Sequence, residues 1–179
     1  MPLHVPVAPA SALHSVRTAL GSSAGAPEHA LPVHVLHLGT ARGGLPHAER
    51  TGWQFLVRDG ERVVAAETVR SADGWAFSHV SEGPFVSSTV RALRQAEALA
   101  GQYEPRVLSV PGLYMVALWL HSDAAGDDTA PGEADLLVPL APAPPGIAAH
   151  RPHRVADLIP VLSLRFAPAP SGPLLTTPA

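Results

Sequence analysis

Apolar and polar positions change their period along this chain, and each change marks an element. Trp53, Phe55 and Val57 line one face with Val64 and Ala66 beyond Asp59-Gly60, while Leu56 and Val63 lie on the other face next to Arg58 and Glu61. Period-two alternation puts one set of side chains on one sheet face. Asp-Gly readily adopts the positive φ angles of a tight turn, so the pattern predicts a hairpin. With Asp59 and Gly60 as the loop, Arg58 pairs with Glu61, Val57 with Arg62, Leu56 with Val63, Phe55 with Val64 and Trp53 with Ala66. A second break at Ala72-Asp73-Gly74 precedes Trp75, Phe77 and His79, which share a face at period two and predict the third strand of a meander.

The period lengthens after Gly83-Pro84. Pro suits the first turn of a helix, where its missing N–H has no intrahelical partner. Val86, Val90, Leu93 and Ala100 run down one side with Thr89 and Ala96 beside them, Arg91, Arg94 and Glu97 lie elsewhere, and Gly101 ends the helix. Residues 106–110, a Pro111-Gly112 turn and the apolar run 113–121 follow. That run is too short for a membrane helix and reads as a central strand buried on both faces. Residues 136–140 predict one more strand.

The flanks are weaker. Leu13, Val16, Arg17 and Leu20 are spaced for a short helix, with Ser11 as cap and Gly21 as stop. Residues 22–27 read as a loop, 31–38 as a strand and 39–49 as a loop. The Pro-rich run 141–145 reads as extended polyproline II. Residues 155–166 hold enough apolar side chains to dock on the core or on a partner, although Pro160 interrupts any helix through them. The chain then divides into a lead over 1–30, a core domain over 31–140 and an extension over 141–179, with a disordered tail after the docking segment 155–166. The fold class is α+β: an antiparallel meander sheet covered by one main amphipathic helix, with a Pro-rich C-terminal extension.

Composition removes several chemistries from this frame. All 12 basic residues are Arg, and Lys, Cys and Asn are absent. No thiol nucleophile, disulfide, Cys-ligated metal, Schiff-base lysine or Walker-type phosphate loop is therefore available. A GC-rich genome is the bland source of that bias. The net charge of −3 carries no basic stripe, which argues against nucleic acid. With no apolar run of membrane length and no leader pattern, a soluble, cytoplasmic protein is expected.

Candidate chemistry is sparse. His34 with His37, and His150 with His153, have an i, i+3 spacing, but neither pair supplies the three or four convergent ligands of a metal site. The acidic stretch with Asp123, Asp127, Asp128, Glu133 and Asp135 lacks the spacing of a calcium loop and reads as solvated. His79 near Glu82 and His121 near Asp123 are possible acid/base pairs, outweighed by ordinary polar residues at strand ends. Ser87-Ser88 reads as an incidental exposed pair on the helix. Trp53, Trp75, Phe77, Tyr114 and Trp119 either fill the core, the favoured reading, or wall an apolar pocket.

These readings lead to a non-catalytic binding or assembly module whose extension meets a protein partner or another protomer through Leu158, Ile159, Leu162, Leu164 and Phe166. The alternative is a small-molecule-binding domain with a pocket at Trp53, Trp75, His79, Tyr114, Trp119 and His121. A His-dependent enzyme or metalloprotein ranks third. No cofactor and no metal are expected.

Overall fold

The computed structural model describes residues 3–21, 25–38, 46–123 and 130–166. Helix α1 (Ala10–Leu20) is followed by strands β1 (Pro27–His37), β2 (His47–Asp59), β3 (Arg62–Ser71) and β4 (Gly74–Ser81), then helix α2 (Pro84–Glu97). Strands β5 (Glu104–Val110), β6 (Met115–His121), β7 (Leu136–Pro139) and β8 (His153–Arg154) lead into helix α3 (Val155–Phe166). Among the described residues, eight strands form one sheet in the order β4-β3-β2-β1-β5-β6-β7-β8.

The sheet is mixed α+β architecture, antiparallel except for one join. The run β1 to β4 is a meander, but β5 crosses back to pair with β1 in parallel, Val33 opposite Val107. Parallel neighbours need a long crossover, here supplied by three strands and α2. The meander expected from the sequence is thus one half of a larger sheet.

Register follows burial. β2 and β3 pair as Val57↔Val64, Phe55↔Ala66 and Trp53↔Thr68, with Asp59↔Arg62 closing the hairpin. The loop is therefore Gly60-Glu61, one residue later than Asp59-Gly60, and Gly60 takes the positive φ of 60°. Each partner moves by two positions, so Trp53, Phe55, Val57, Val64 and Ala66 still share a face. The expectation for β4 fails differently. Glu67 pairs with His79 and Thr68 with Phe77, leaving Ser78 as a bulge. An extra residue in one strand inverts the alternation, so His79 joins the face opposite Phe77.

Helices cover both faces rather than one. On the first face, α1 buries Ala12 and Val16 against Trp53, Phe55, Val57, Val64 and Ala66. Further along that face, α3 buries Val155, Leu158 and Leu162 against Leu36, Leu108, Ala117, Trp119 and Leu137. On the second face, α2 packs Val86, Ala92, Leu93 and Ala96 over Leu31, Leu56, Ala65, Val107, Leu118 and Val138. Strands buried on both sides read as apolar runs, as residues 113–121 do, of which the strand takes Met115–His121 and a 3-10 turn Pro111–Leu113 holds the first residue.

Ends and caps differ in detail. Pro9, not Ser11, occupies the N-cap of α1, and Gly21 (φ 75°) ends it. α2 ends at Glu97, short of Gly101. Pro160 lies inside α3 without breaking it. A proline forfeits the bond to the carbonyl four residues back and crowds that carbonyl, here Ala156 in the first turn. In place of a fully extended run, Ala141-Pro142 is a cis peptide, and Ile147 N donates to the Pro144 carbonyl at 3.0 Å. The tail beyond 166 lies outside the described residues. No helix among the described residues is long and apolar enough to cross a membrane.

Candidate functional site

The helices leave a groove on the second face. It opens between the first turns of α2 and the middle of the sheet, with a volume of about 400 Å³. That is within the ordinary range of small-ligand sites, about 300–1,000 Å³. Its apolar wall comes from Val33 and Val35 of β1, Val107 of β5, Val116 of β6, Phe85 and Val86 of α2, and Leu140. β-Branched residues dominate because these positions point inward from strands.

The opposite wall is polar and is built by register. Gln54 of β2 lies across from Glu67 of β3, and Glu67 across from His79 of β4. Gln54 Nε2 donates to Glu67 Oε1 at 3.2 Å, and Glu67 Oε2 stands 4.0 Å from His79 Nε2. Because a carboxylate accepts only, this bond fixes which end of the Gln54 amide is which. Gln54 Oε1 is then left buried with no hydrogen-bond partner among the described residues. Such an acceptor costs about 1–3 kcal/mol when unsatisfied. Ser78 Oγ lies 3.1 Å from His79 Nδ1 and orients the ring from behind.

A second polar cluster is buried on the first face, between α1 and α3. Arg106 Nε donates to Glu104 Oε1 at 2.8 Å, and the guanidinium lies 4.7 Å from the Trp119 ring centroid. His34 and His121 meet the same indole edge-on, at 5.2 and 5.3 Å. Asp135 ties this cluster together. Its Oδ2 accepts from Trp119 Nε1 at 2.7 Å, His121 Nδ1 at 2.9 Å and Gly132 N at 2.8 Å. Its Oδ1 accepts from Ser122 N and Ser122 Oγ, each at 2.8 Å. Burial pushes the Asp135 carboxyl up, but the bonds from His121, Ser122, Trp119 and Gly132 outweigh it and hold the group below its ordinary value.

This arrangement is that of an anchor. Ser122 and Gly132 flank the segment between β6 and β7, and Asp135 holds both ends. An imidazole oriented by a carboxylate is also the geometry of a general base, yet His121 is buried and its Nε2 has no partner among the described residues. Ser88 and His150 form a similar pair, Oγ to Nε2 at 3.1 Å. Ser88 is buried, however, and its Oγ accepts from Ala141 N at 2.7 Å, fastening the Pro-rich segment to α2. Burial, then the positive charge of Arg91, lowers the His150 pKa. Among the described residues no three His, Asp or Glu side chains converge as metal ligands.

The structure distributes the residues singled out in the sequence over several places. Trp53 is fully packed under α1, and Trp75 lies at the margin of that cluster. Trp119 and His121 meet at Asp135, although the sequence suggested Asp123 as the partner of His121. His79 is on the groove's polar wall on the opposite face. Tyr114 is isolated, 90% exposed, in the left-handed region at φ 50°. Of the α3 residues, Leu158 and Leu162 are buried and Ile159 is partly buried, while Leu164 is 78% exposed and Phe166 is half-exposed beside Gly112. Gln54 and Glu67 are not among the residues that the sequence singles out; their signal there is two polar residues interrupting inward-facing strand positions.

Comparison with family models, curated proteins and solved structures gave no match for this chain.

Proposed function

We propose that this protein is a non-catalytic binding module that holds a small amphipathic molecule in the groove between α2 and the sheet. One observation carries the reading: a groove of about 400 Å³ whose apolar wall faces the polar side chains of Gln54, Glu67 and His79. The test is ligand-observed NMR with a fragment library on the wild-type chain and on Val116→Trp, which fills the groove. Fragments that bind the wild type and are lost in a folded Val116→Trp support the reading; identical hits on both proteins refute it.

A second reading is assembly through the outward side of α3. Val161 and Leu164, three residues apart on one side of the helix, are exposed there. Exposed apolar clusters of this kind mark interaction surfaces. Sedimentation of the wild type and Leu164→Asp across a concentration series tests self-association. A truncation after Pro145 would not serve, because it also removes Val155, Leu158 and Leu162 from the core.

A further inference from the structure

Ser88 and His150 meet where α2 touches the Pro-rich segment, and the direction of their hydrogen bond can be worked out. Ser88 is buried, and its Oγ accepts from Ala141 N at 2.7 Å while lying 3.1 Å from His150 Nε2. A hydroxyl also has one proton to give. Among the described residues, His150 Nε2 is the acceptor for it. The ring is then neutral at Nε2 and carries its proton on Nδ1, which is buried with no partner among the described residues. The opposite tautomer would leave two groups unmet, the Ser88 proton as well as Nδ1, so the first is favoured.

Protonation of the ring breaks this pattern. Ser88 Oγ would face two donors, Ala141 N–H and Nε2–H, and its own proton would lose its acceptor. The surroundings do not compensate. Burial, then the positive charge of Arg91 one turn along α2, lowers the His150 pKa. β7 presents the Pro139 carbonyl, which accepts from His150 N at 2.8 Å, and neither β7 nor the segment 141–149 has an ionisable side chain. Arg151 and His153 follow in the chain, and Arg165 of α3 donates to the Pro145 carbonyl at 2.6 Å. None of these groups is a carboxylate. His150 also takes a φ of 60°, a left-handed conformation that costs a residue with a Cβ and persists only where its surroundings hold it.

The segment so fastened joins the two faces of the sheet. Leu140 before it is buried with the α2 cluster, and Ile147 within it is buried with the α3 cluster. We propose that Ser88 and His150 form an acid-released latch: the neutral imidazole takes the Ser88 proton and leaves the hydroxyl oxygen to the Ala141 amide, and protonation of the ring frees the segment 141–149 from α2. The latch is closed at neutral pH. It opens as pH falls below about 6.5, the ordinary histidine value, because the latched state takes up the proton less readily than the released one.

The experiment follows the full chain by NMR from about pH 7.5 to about pH 5. At neutral pH the ring nitrogen shifts of His150 should report a proton on Nδ1 and none on Nε2; a proton on Nε2 would overturn the latch. Hydrogen exchange of the Ala141 amide, corrected for the intrinsic effect of pH, should lose about five- to ten-fold in protection on acidification. That is the worth of about one buried hydrogen bond. Leu118, fully buried in the middle of the sheet, should keep its protection. His150→Gln offers Ser88 an acceptor that does not titrate, so its Ala141 protection should stay level. A level profile in the wild type, or an equal fall at Leu118, overturns the proposal. The same fall in His150→Gln overturns it too, by assigning the response to another group such as His153. The wild-type tautomer and exchange profile decide the matter even if His150→Gln does not fold.

Discussion

Replacing Asp135 by Asn tests whether one carboxylate holds the β6–β7 end of the sheet. The substitution conserves volume, so no cavity forms. Its best orientation keeps the amide oxygen at the Oδ2 position, facing Trp119 Nε1, His121 Nδ1 and Gly132 N, and turns the NH₂ toward Ser122. The Ser122 hydroxyl can rotate to accept, but the Ser122 N–H then opposes another donor. An unmet donor costs about 1–3 kcal/mol, and three bonds falling from charge-assisted to neutral lose roughly half their strength. Relief of carboxylate burial offsets part of that. The net loss is about 2–4 kcal/mol, within the roughly 5–15 kcal/mol stability of a folded domain, so the variant should fold with a lower urea midpoint. The pH dependence supplies a second check. The Asp135 carboxyl is held below its ordinary value in the folded state, so its contribution is fully present above the unfolded pKa and disappears as pH falls through the folded one. The stability gap between wild type and Asp135→Asn should therefore hold from pH 7 to about 5 and narrow below about 4. A gap under about 0.5 kcal/mol at pH 7, or one that stays constant into acid, would refute the anchor.

The remaining predictions concern packing and backbone. Leu162→Ala, at a fully buried position of α3, should cost about 2–5 kcal/mol in denaturant unfolding, whereas Leu164→Ala should change stability by less than about 0.5 kcal/mol; similar values for the two would mean that α3 docks by another face. Gly52→Ala should destabilise by about 1–3 kcal/mol, because the added Cβ would run into the Thr68 carbonyl of the neighbouring strand; an unchanged midpoint would contradict that close approach. Tyr114→Gly should be neutral or stabilising by up to about 1 kcal/mol in thermal unfolding, since Tyr114 is exposed with φ 50° and glycine removes the left-handed penalty. A clear destabilisation would show that the phenol makes a contact of its own.

The half of the fold made by local pattern was legible. The β2–β3 hairpin, α2 and the doubly buried β6 each follow from period and turn chemistry within a short window. Even the misplaced hairpin loop did no harm, because a shift of two leaves every side chain on its face. The parallel join of β1 to β5 was not legible. Val33 and Val107 lie far apart in sequence, and an apolar valine in a strand does not say which strand will cover its edge. Pro160 misled for a related reason. A proline's cost depends on where in the helix its lost bond falls, and that position is set by where tertiary packing lets α3 begin.

The groove shows why a site can escape a sequence whose strands are read correctly. Its polar wall needs Gln54, Glu67 and His79 side by side, one from each of three strands, and adjacency across strands is a matter of register rather than of spacing along the chain. The β2–β3 register alone decides that Gln54 faces Glu67. The last member depends on Ser78. Strict alternation from Trp75 sends His79 to the α1 face with Phe77, where it would be one more polar residue beside a tryptophan cluster. The bulge at Ser78 turns it to the α2 face, opposite Glu67. Bulges re-aim side chains at sheet edges, and β4 is the edge strand. A single unpaired serine thus separates a structural histidine from one that lines the groove, and deleting Ser78 should return His79 to the face that alternation predicts.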